Sequence, residues 1–306
     1  MRVVVTGAGG FIGKHVVRNL LAAGHDVVAL DNSTAGISPG TQAIVGDLAE
    51  CAVRAAALGD RCDALVHLAT IPGGAAEADP QASRRLNLDA TYDLMLEAGA
   101  MNPGLRFVFA SSIAVYGDYL PARVDDATPL APRMIYGGHK AMMEQALAMF
   151  SHRGVVDGVS LRLPGILARP ASASGLQSAF MSNLFHALTA GERFACPVAR
   201  EGTIWAQSVA RCADNLCRAL TLDTALLPST RAVNLPSLRL SLSELAAEIA
   251  RQTGASDTLV TYAPDAALQA AFAAQPPLDT PAAERLGFAH DGDVTRLVTS
   301  ALSTLQ

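Results

Sequence analysis

The sequence predicts a doubly wound α/β fold: a parallel sheet with helices on both faces, followed by a smaller α/β lobe. Three observations predict it. Short, near-continuous apolar runs alternate with longer helical patterns through the first half; a glycine run, GAGGFIG, follows the first apolar run; and the texture turns irregular past Arg162. Parallel strands buried on both faces read as unbroken apolar stretches, and the helices between them supply the crossovers.

In chain order, residues 2–6, 26–31, 43–46, 64–68, 107–110 and 156–161 read as strands, each rich in Val, Leu, Ile, Phe or Ala. Residues 12–23, 49–58, 83–100 and 136–152 read as the intervening helices. This first domain spans 1–165. Past it, the small-residue loop ARPASASG leads to a helix at 180–190 and a loop at 193–203. Helices follow at 209–222 and 242–253, with a strand at 232–235, and AAFAAQPP reads as a loop or short helix. This texture is too irregular for a second independent sheet domain. A substrate-binding lobe over 166–306 is expected, with segments free to return to the first domain.

Composition narrows the class. With 306 residues, 50% apolar and 17% charged, the chain buries a substantial core and is globular. The balance of 23 basic and 28 acidic residues, net −5 and without a basic run, argues against a nucleic-acid partner. No stretch approaches the roughly 18 apolar residues of a membrane span. The opening MRVVVTGAGG reads as a buried strand and not a secretory leader, because its apolar run is too short. The five cysteines, at 51, 62, 196, 212 and 217, fit neither a disulfide framework nor a metal pattern, so a cytoplasmic protein with reduced thiols is expected. Cys196 has no paired base and reads as a buried thiol.

Gly7, Gly10 and Gly13 follow the first strand directly, and Phe11 and Ile12 open the first helix. A strand that turns sharply into a helix lets its backbone approach a pyrophosphate, while the helix N-terminus offers amide donors and a favourable dipole. Asp31 ends the second strand, where a carboxylate accepts from ribose hydroxyls and repels a 2′-phosphate. Asn32 and Ser33 bring no compensating charge, so NAD is favoured over NADP. The competing reading of Asp31 is a polar strand end. Asp47 and Leu48, after the third strand, are candidates for the adenine contact; Asp47 also reads as a helix cap with Glu50 three residues on.

Tyr136 and Lys140, in YGGHK, share one helix face. Removing hydride from an alcohol needs a base, and tyrosine at its free pKa of about 10 is a poor one. A nearby lysine ammonium is expected to lower that pKa. Ser112 lies just past an apolar strand, at the carboxyl end where open parallel sheets bind ligands, and is placed to hold the substrate oxygen. His139 reads as a structural or interface histidine. Met142, Met143 and Met149 read as packing material.

Together these motifs resemble the extended short-chain dehydrogenase/reductase family, the group with nucleotide-sugar epimerases and dehydratases. The match lies in Gly7, Gly10 and Gly13, Asp31, Asp47-Leu48, His67-Leu68-Ala69, Asn87, and the set Ser112, Tyr136 and Lys140. The resemblance implies a Rossmann domain binding NAD across the sheet, with contacts from Leu68, Ala69, Asn87, Tyr136, Lys140 and Leu163 besides the glycines. It also implies a substrate under the lobe and a homodimer through helices starting near Ser83 and Tyr136.

Two departures argue against a nucleotide-diphosphate substrate. Pro164 stands in RLPGILARP close to where sugar-nucleotide enzymes carry an asparagine, and EGTIWAQS lacks their charged residues around Trp205. VDGVSLRLPGILARP, GERFACPV and the tryptophan loop resemble instead the D-erythronate dehydrogenase branch of the family, implying oxidation of the 2-hydroxyl of a short sugar acid. A carboxylate-bearing polyol needs a cationic clamp. Candidates are Arg162, Arg169, Arg193 and Arg200, with Arg169 preferred for its place in the loop leaving the sheet. Asn183 and Ser178 are neutral donors, Trp205 a packing surface, and His186 an alternative contact. Three other functions compete: an epimerase with retained NAD, a reductase of a small ketone or aldehyde, and an NAD-binding sensor without turnover.

Overall fold

The computed structural model describes residues 1–170 and 177–305, so most of the predicted ARPASASG loop lies outside the described residues. The first half runs β1 (Arg2–Thr6), α1 (Phe11–Ala22), β2 (Asp26–Asp31), β3 (Gln42–Val45), α2 (Cys51–Leu58), β4 (Ala64–His67), α3 (Gly73–Ala78), α4 (Pro80–Arg84), α5 (Thr91–Met101), β5 (Leu105–Ser112), α6 (Ile135–His152) and β6 (Val156–Leu163). The second half runs β7 (Gly165–Ile166), α7 (Phe180–Ala190), β8 (Phe194–Cys196), β9 (Thr203–Gln207), α8 (Val209–Arg218), β10 (Ala232–Asn234), β11 (Leu238–Ser241), α9 (Leu242–Thr253), β12 (Val260–Tyr262), α10 (Ala266–Phe272), α11 (Pro281–Arg285) and α12 (Val294–Leu302).

The main sheet has seven strands in the order β10-β6-β5-β4-β1-β2-β3, all parallel. Its inner strands β1, β2 and β4 are apolar on both sides because both sides are covered, whereas the edge strand β3 is largely exposed. One face packs with α1, α8 and α11 through Val16, Leu20, Val209, Leu216 and Ala283. The other packs with α2, α5 and α6 through Leu58, Leu94, Met95, Met143 and Leu147. The order in which successive strands are added switches sides between β1 and β4, which opens a crevice at their carboxyl ends.

The sequence placed the 209–222 helix and the 232–235 strand in the second half, and both return to the first layer. α8 lies against α1, and β10 extends the main sheet beyond β6. What remains is a lobe with a three-stranded sheet, β11-β9-β7, a two-stranded sheet, β12-β8, and its own core around Phe185, Leu188, Ile204, Leu245 and Leu297. Two boundaries also move. The helix expected from 49 starts at Cys51, because Asp47 Oδ1 accepts from Ala49 N–H at 2.9 Å and holds a turn there. The expected helix 83–100 is interrupted by a π-helical segment, Arg85–Ala90, for which hydrophobic periodicity gives no signal.

A buried ion pair ties the layers together. Arg162 on β6 donates to both carboxylate oxygens of Glu144 on α6, at 2.8–3.2 Å, and to the Tyr116 hydroxyl at 2.7 Å. Ser111 on β5 donates to the same carboxylate, and Tyr116 donates to Asn234 Oδ1 on β10 at 2.9 Å. Arg162 and Glu144 are 2% and 1% exposed, so removing one partner strands a charge in the core. Glu144→Ala is expected to lower unfolding free energy by about 3–5 kcal/mol, read from urea denaturation. Stability within 1 kcal/mol or so of the parent would show that the pair does not hold these layers.

Candidate active site

The glycine turn is built tightly. Gly7 has φ +69°, and a Cβ there would lie 2.8 Å from the Ala69 amide nitrogen across the crevice. A Cβ on Gly13 would lie 2.1 Å from Gly7 O, so both positions exclude any side chain. Gly10 is exposed and precedes α1, whose N-terminus has no side-chain cap. The amides around Phe11 and Ile12 therefore remain free for an anion. Asp31 accepts from Gly9 N–H at 2.9 Å and from Ser33 N–H at 3.3 Å, which fixes the glycine turn to the end of β2. Asn32 beside it is exposed. These residues fit a dinucleotide pyrophosphate and ribose.

The rest of the crevice is braced from below. Thr6 Oγ1 accepts from the Leu68 and Ala69 amides, both at 3.2 Å, which leaves its proton for His67 Nδ1 at 2.7 Å. His67 then donates from Nε2 to Thr91 at 3.0 Å, an assignment that requires the neutral ring. Burial, with Lys140 adding to it, pushes the His67 pKa down to about 3, in keeping with that tautomer. Asn87 spends its amide on the chain: Oδ1 accepts from Ile71 N–H and Thr70, and Nδ2 donates to Ile71 O and Ser83 Oγ. It shapes the loop after β4 and offers no free group to a ligand. His139 joins the same brace through Ser83 at 3.0 Å, a structural role.

Leu48 and Leu163 are largely buried in the two faces of the core. The Asp47 carboxylate is paired with Arg85, so it meets an adenine only in competition with that cation.

Ser112, Tyr136 and Arg169 converge on a cavity of about 470 Å³ between the sheet and the lobe. Ser112 ends β5, and its Oγ accepts from Ala114 N–H at 3.1 Å, leaving its own proton free to donate. Tyr136 sits in the first turn of α6 with Lys140 one turn on. Lys140 Nζ lies 5.6 Å from the centre of the Tyr136 ring and 4.6 Å from that of Phe109, facing ring surfaces. Burial raises the phenol above its usual value, and the groups that pull it down are Arg169 and Ser112.

Among the clamp candidates, Arg162 is consumed by Glu144, and Arg193 and Arg200 are exposed away from the cavity. Arg169 lines the cavity, with Nε donating to Ile166 O at 3.3 Å. Among the described residues no carboxylate lies within ion-pair distance of it. Asn183 and Ser178 also line the cavity. His186 does not: its ring bonds the Arg169 carbonyl at 2.7 Å and steadies that loop. Trp205 is among the lining residues, but is 1% exposed and donates to Pro276 O at 2.7 Å.

Sequence reading missed Arg133, Asp118 and Gln275, which also line the cavity. Only Arg133, three residues before Tyr136, carried a positional hint. Met142 and Met149, expected as packing, are exposed. Among the described residues no cluster could hold a metal, and no helix is long and apolar enough to cross a membrane.

A glycine seat at the β1–β4 crevice beside a tyrosine–serine centre defines a dinucleotide-dependent enzyme acting on a CH–OH group. Residues 3–209 match the model of the NAD dependent epimerase/dehydratase family, and the chain belongs to that family, with NAD as its cofactor. It is 34% identical to a D-erythronate dehydrogenase of Cupriavidus necator over 83% of this chain and 82% of that one. Its identity to a D-erythronate dehydrogenase of Haemophilus influenzae is 31%, over 83% of each. In structure it is similar to a nucleoside-diphosphate-sugar epimerase from Agrobacterium tumefaciens, with TM-score 0.86 and 27% identity over 97% of this chain and 92% of that one.

Burial pushes the Lys140 pKa from 10.5 down to about 7, with Glu144 opposing. Between those values the unfolded chain holds a proton at Lys140 that the folded chain has released, so folding stability gains as pH rises. The stability difference between parent and Lys140→Met, from denaturation at stepped pH, should move in favour of the parent from pH about 7 to 10.5. A difference flat across that window would show an ordinary lysine.

Proposed function

We propose that the protein oxidises the 2-hydroxyl of a short sugar acid of the D-erythronate type to the 2-oxo acid with NAD. The observation that carries this reading is Arg169, a cation in the cavity wall beside Tyr136 with no acidic partner of its own. A guanidinium held in that way is matched by a substrate carboxylate, which it binds with two parallel hydrogen bonds. The two D-erythronate dehydrogenase relatives support the same class.

The residues divide the work. Arg169 fixes the carboxylate and thereby the neighbouring C2. Ser112 donates to the C2 oxygen, and Tyr136 Oη takes the hydroxyl proton. Arg169 favours the phenolate, the part the sequence reading gave to Lys140. Lys140 contacts the cofactor ribose. NAD, when bound, accepts the hydride that leaves C2. Run backwards, the same path reduces a 2-oxo acid.

The protein works as a homodimer through α5 and α6 in this reading. Tyr92, Leu96 and Met101 on α5 and Met142 and Met149 on α6 form exposed apolar ground that a second copy would cover. The free thiols, three of them buried, suit a reducing cytoplasm.

NADH formation should be measured from pure 2-hydroxy sugar acids, with neutral sugars and nucleotide-sugars beside them. Turnover confined to the acids is expected, and Arg169→Gln should lower kcat/KM on them by about a hundredfold or more. Isomerisation of a sugar without net NADH would put an epimerase in its place. In sedimentation, the parent should run as a dimer and the Leu96→Glu/Met142→Glu variant as a monomer; a monomeric parent would remove the dimer.

A further inference from the structure

Tyr136 sits in the weakest turn of its helix. α6 opens with Ile135, Tyr136, Gly137 and Gly138, and its N-cap, Met134, has no side-chain acceptor to offer. Glycine is a poor helix former, and an apolar cap leaves the first amides unanswered. Gly137 has no alternative: a Cβ there would lie 2.3 Å from Ala114 O, whereas one on Gly138 would meet nothing within 4 Å. The Glu144–Arg162 pair grips α6 about two turns further on. That grip reaches Tyr136 only while the first turn stays wound.

Glu77 answers this turn from outside the helix. Reaching over from α3, its Oε1 accepts from the Ile135 N–H at 2.7 Å. Ile135 is the first residue of α6 and the neighbour of Tyr136. Among the described residues, no other side chain accepts from the amides of this turn. A carboxylate there also meets the positive end of the helix dipole. The same short helix lines the cavity through Gly73 and Gly74, and its lead-in, Thr70 and Ile71, is held by Asn87. The segment after β4 is therefore tied at both ends, and its far tie falls beside Tyr136. Glu77 is exposed and belongs to no core cluster, so its loss leaves the core intact.

We infer that Glu77 is a positioning residue: by keeping the first turn of α6 wound, it holds Tyr136 in line with Ser112. The inference rests on the proposed reading of Tyr136 as the base and deepens it. Reacting groups need alignment to within about 0.5 Å, and a frayed helical turn moves its side chains by far more. The hydrogen bond does the holding, so glutamine, which keeps a carbonyl acceptor, can replace the glutamate, and alanine cannot.

The test compares Glu77→Ala and Glu77→Gln with the parent by hydrogen exchange and by turnover. Turnover is measured on whichever 2-hydroxy acid, neutral sugar or nucleotide-sugar the parent uses. Glu77→Ala should speed exchange at residues 135–138 by about fivefold, while residues 142–150, inside α6, keep the parent rate. It should also lower kcat by about tenfold with KM within about twofold. Glu77→Gln should return both to within about threefold of the parent. Adding Gly138→Ala, which strengthens the turn where there is room for a methyl group, should recover part of what Glu77→Ala loses. Unchanged exchange in Glu77→Ala would overturn the inference, as would faster exchange with kcat intact or a loss that glutamine does not restore. A parent active on sugars or nucleotide-sugars but not on acids would remove the sugar-acid reading, and Glu77 would be judged on that substrate. A parent that turns over nothing would sink both. Should Glu77→Ala not fold, Glu77→Asp withdraws the carboxylate by one carbon and carries the same expectation.

Discussion

The Glu144–Arg162 pair is the constraint on which the active site depends. Glu144, Lys140 and Tyr136 recur at four-residue intervals on α6, so whatever fixes Glu144 fixes the other two in angle and depth. Arg162 supplies that anchor from β6, and Ser111 supplies a second one from β5, one residue before Ser112. Ser112 and Tyr136 are thus held to each other through a carboxylate that touches neither. A buried pair of this kind adds little net stability over apolar packing, but it admits few alternative arrangements, because every displacement leaves a charge unpaired. Precision of the site follows from that intolerance.

Much of the cofactor half was legible in the sequence because its demands are local. A glycine run between strand and helix, an acid at the next strand end and a YxxxK pair each declare themselves within a few residues. The all-parallel sheet was legible because double-sided burial leaves unbroken apolar strands. Elsewhere the governing contacts are distant in sequence. In RLPGILARP the place of Arg169 in the loop leaving the sheet favoured it as the clamp, but nothing there told that Arg162 has Glu144 waiting on a helix. Gln275 looked like filler among alanines and prolines until β9 fastened it beside the cavity. Spacing on a helix likewise sets the face that Lys140 shares with Tyr136, but not whether its ammonium meets a hydroxyl or a ring.

Two cations near one phenol therefore do different work. Lys140, buried and close to aromatic faces, loses its charge readily, whereas a guanidinium keeps its proton at any ordinary pH. A phenolate supported by Arg169 is supported by a charge that does not switch off. In the proposed mechanism a substrate carboxylate would share that charge, so binding and proton transfer would draw on the same group.

The return of β10 to the main sheet bears on how the chain is made. On the ribosome β6 is complete some seventy residues before its outer neighbour β10 is synthesised, and the intervening chain builds β7, α7, β8, β9 and α8. Through that interval β6, buried along most of its length in the finished fold, stands as an open sheet edge able to pair with any passing strand. The nascent protein thus has a period of vulnerability set by topology. Short-lived protection of that edge, by a chaperone or by slow elongation, would matter more here than in a chain whose sheet closes in the order it is translated.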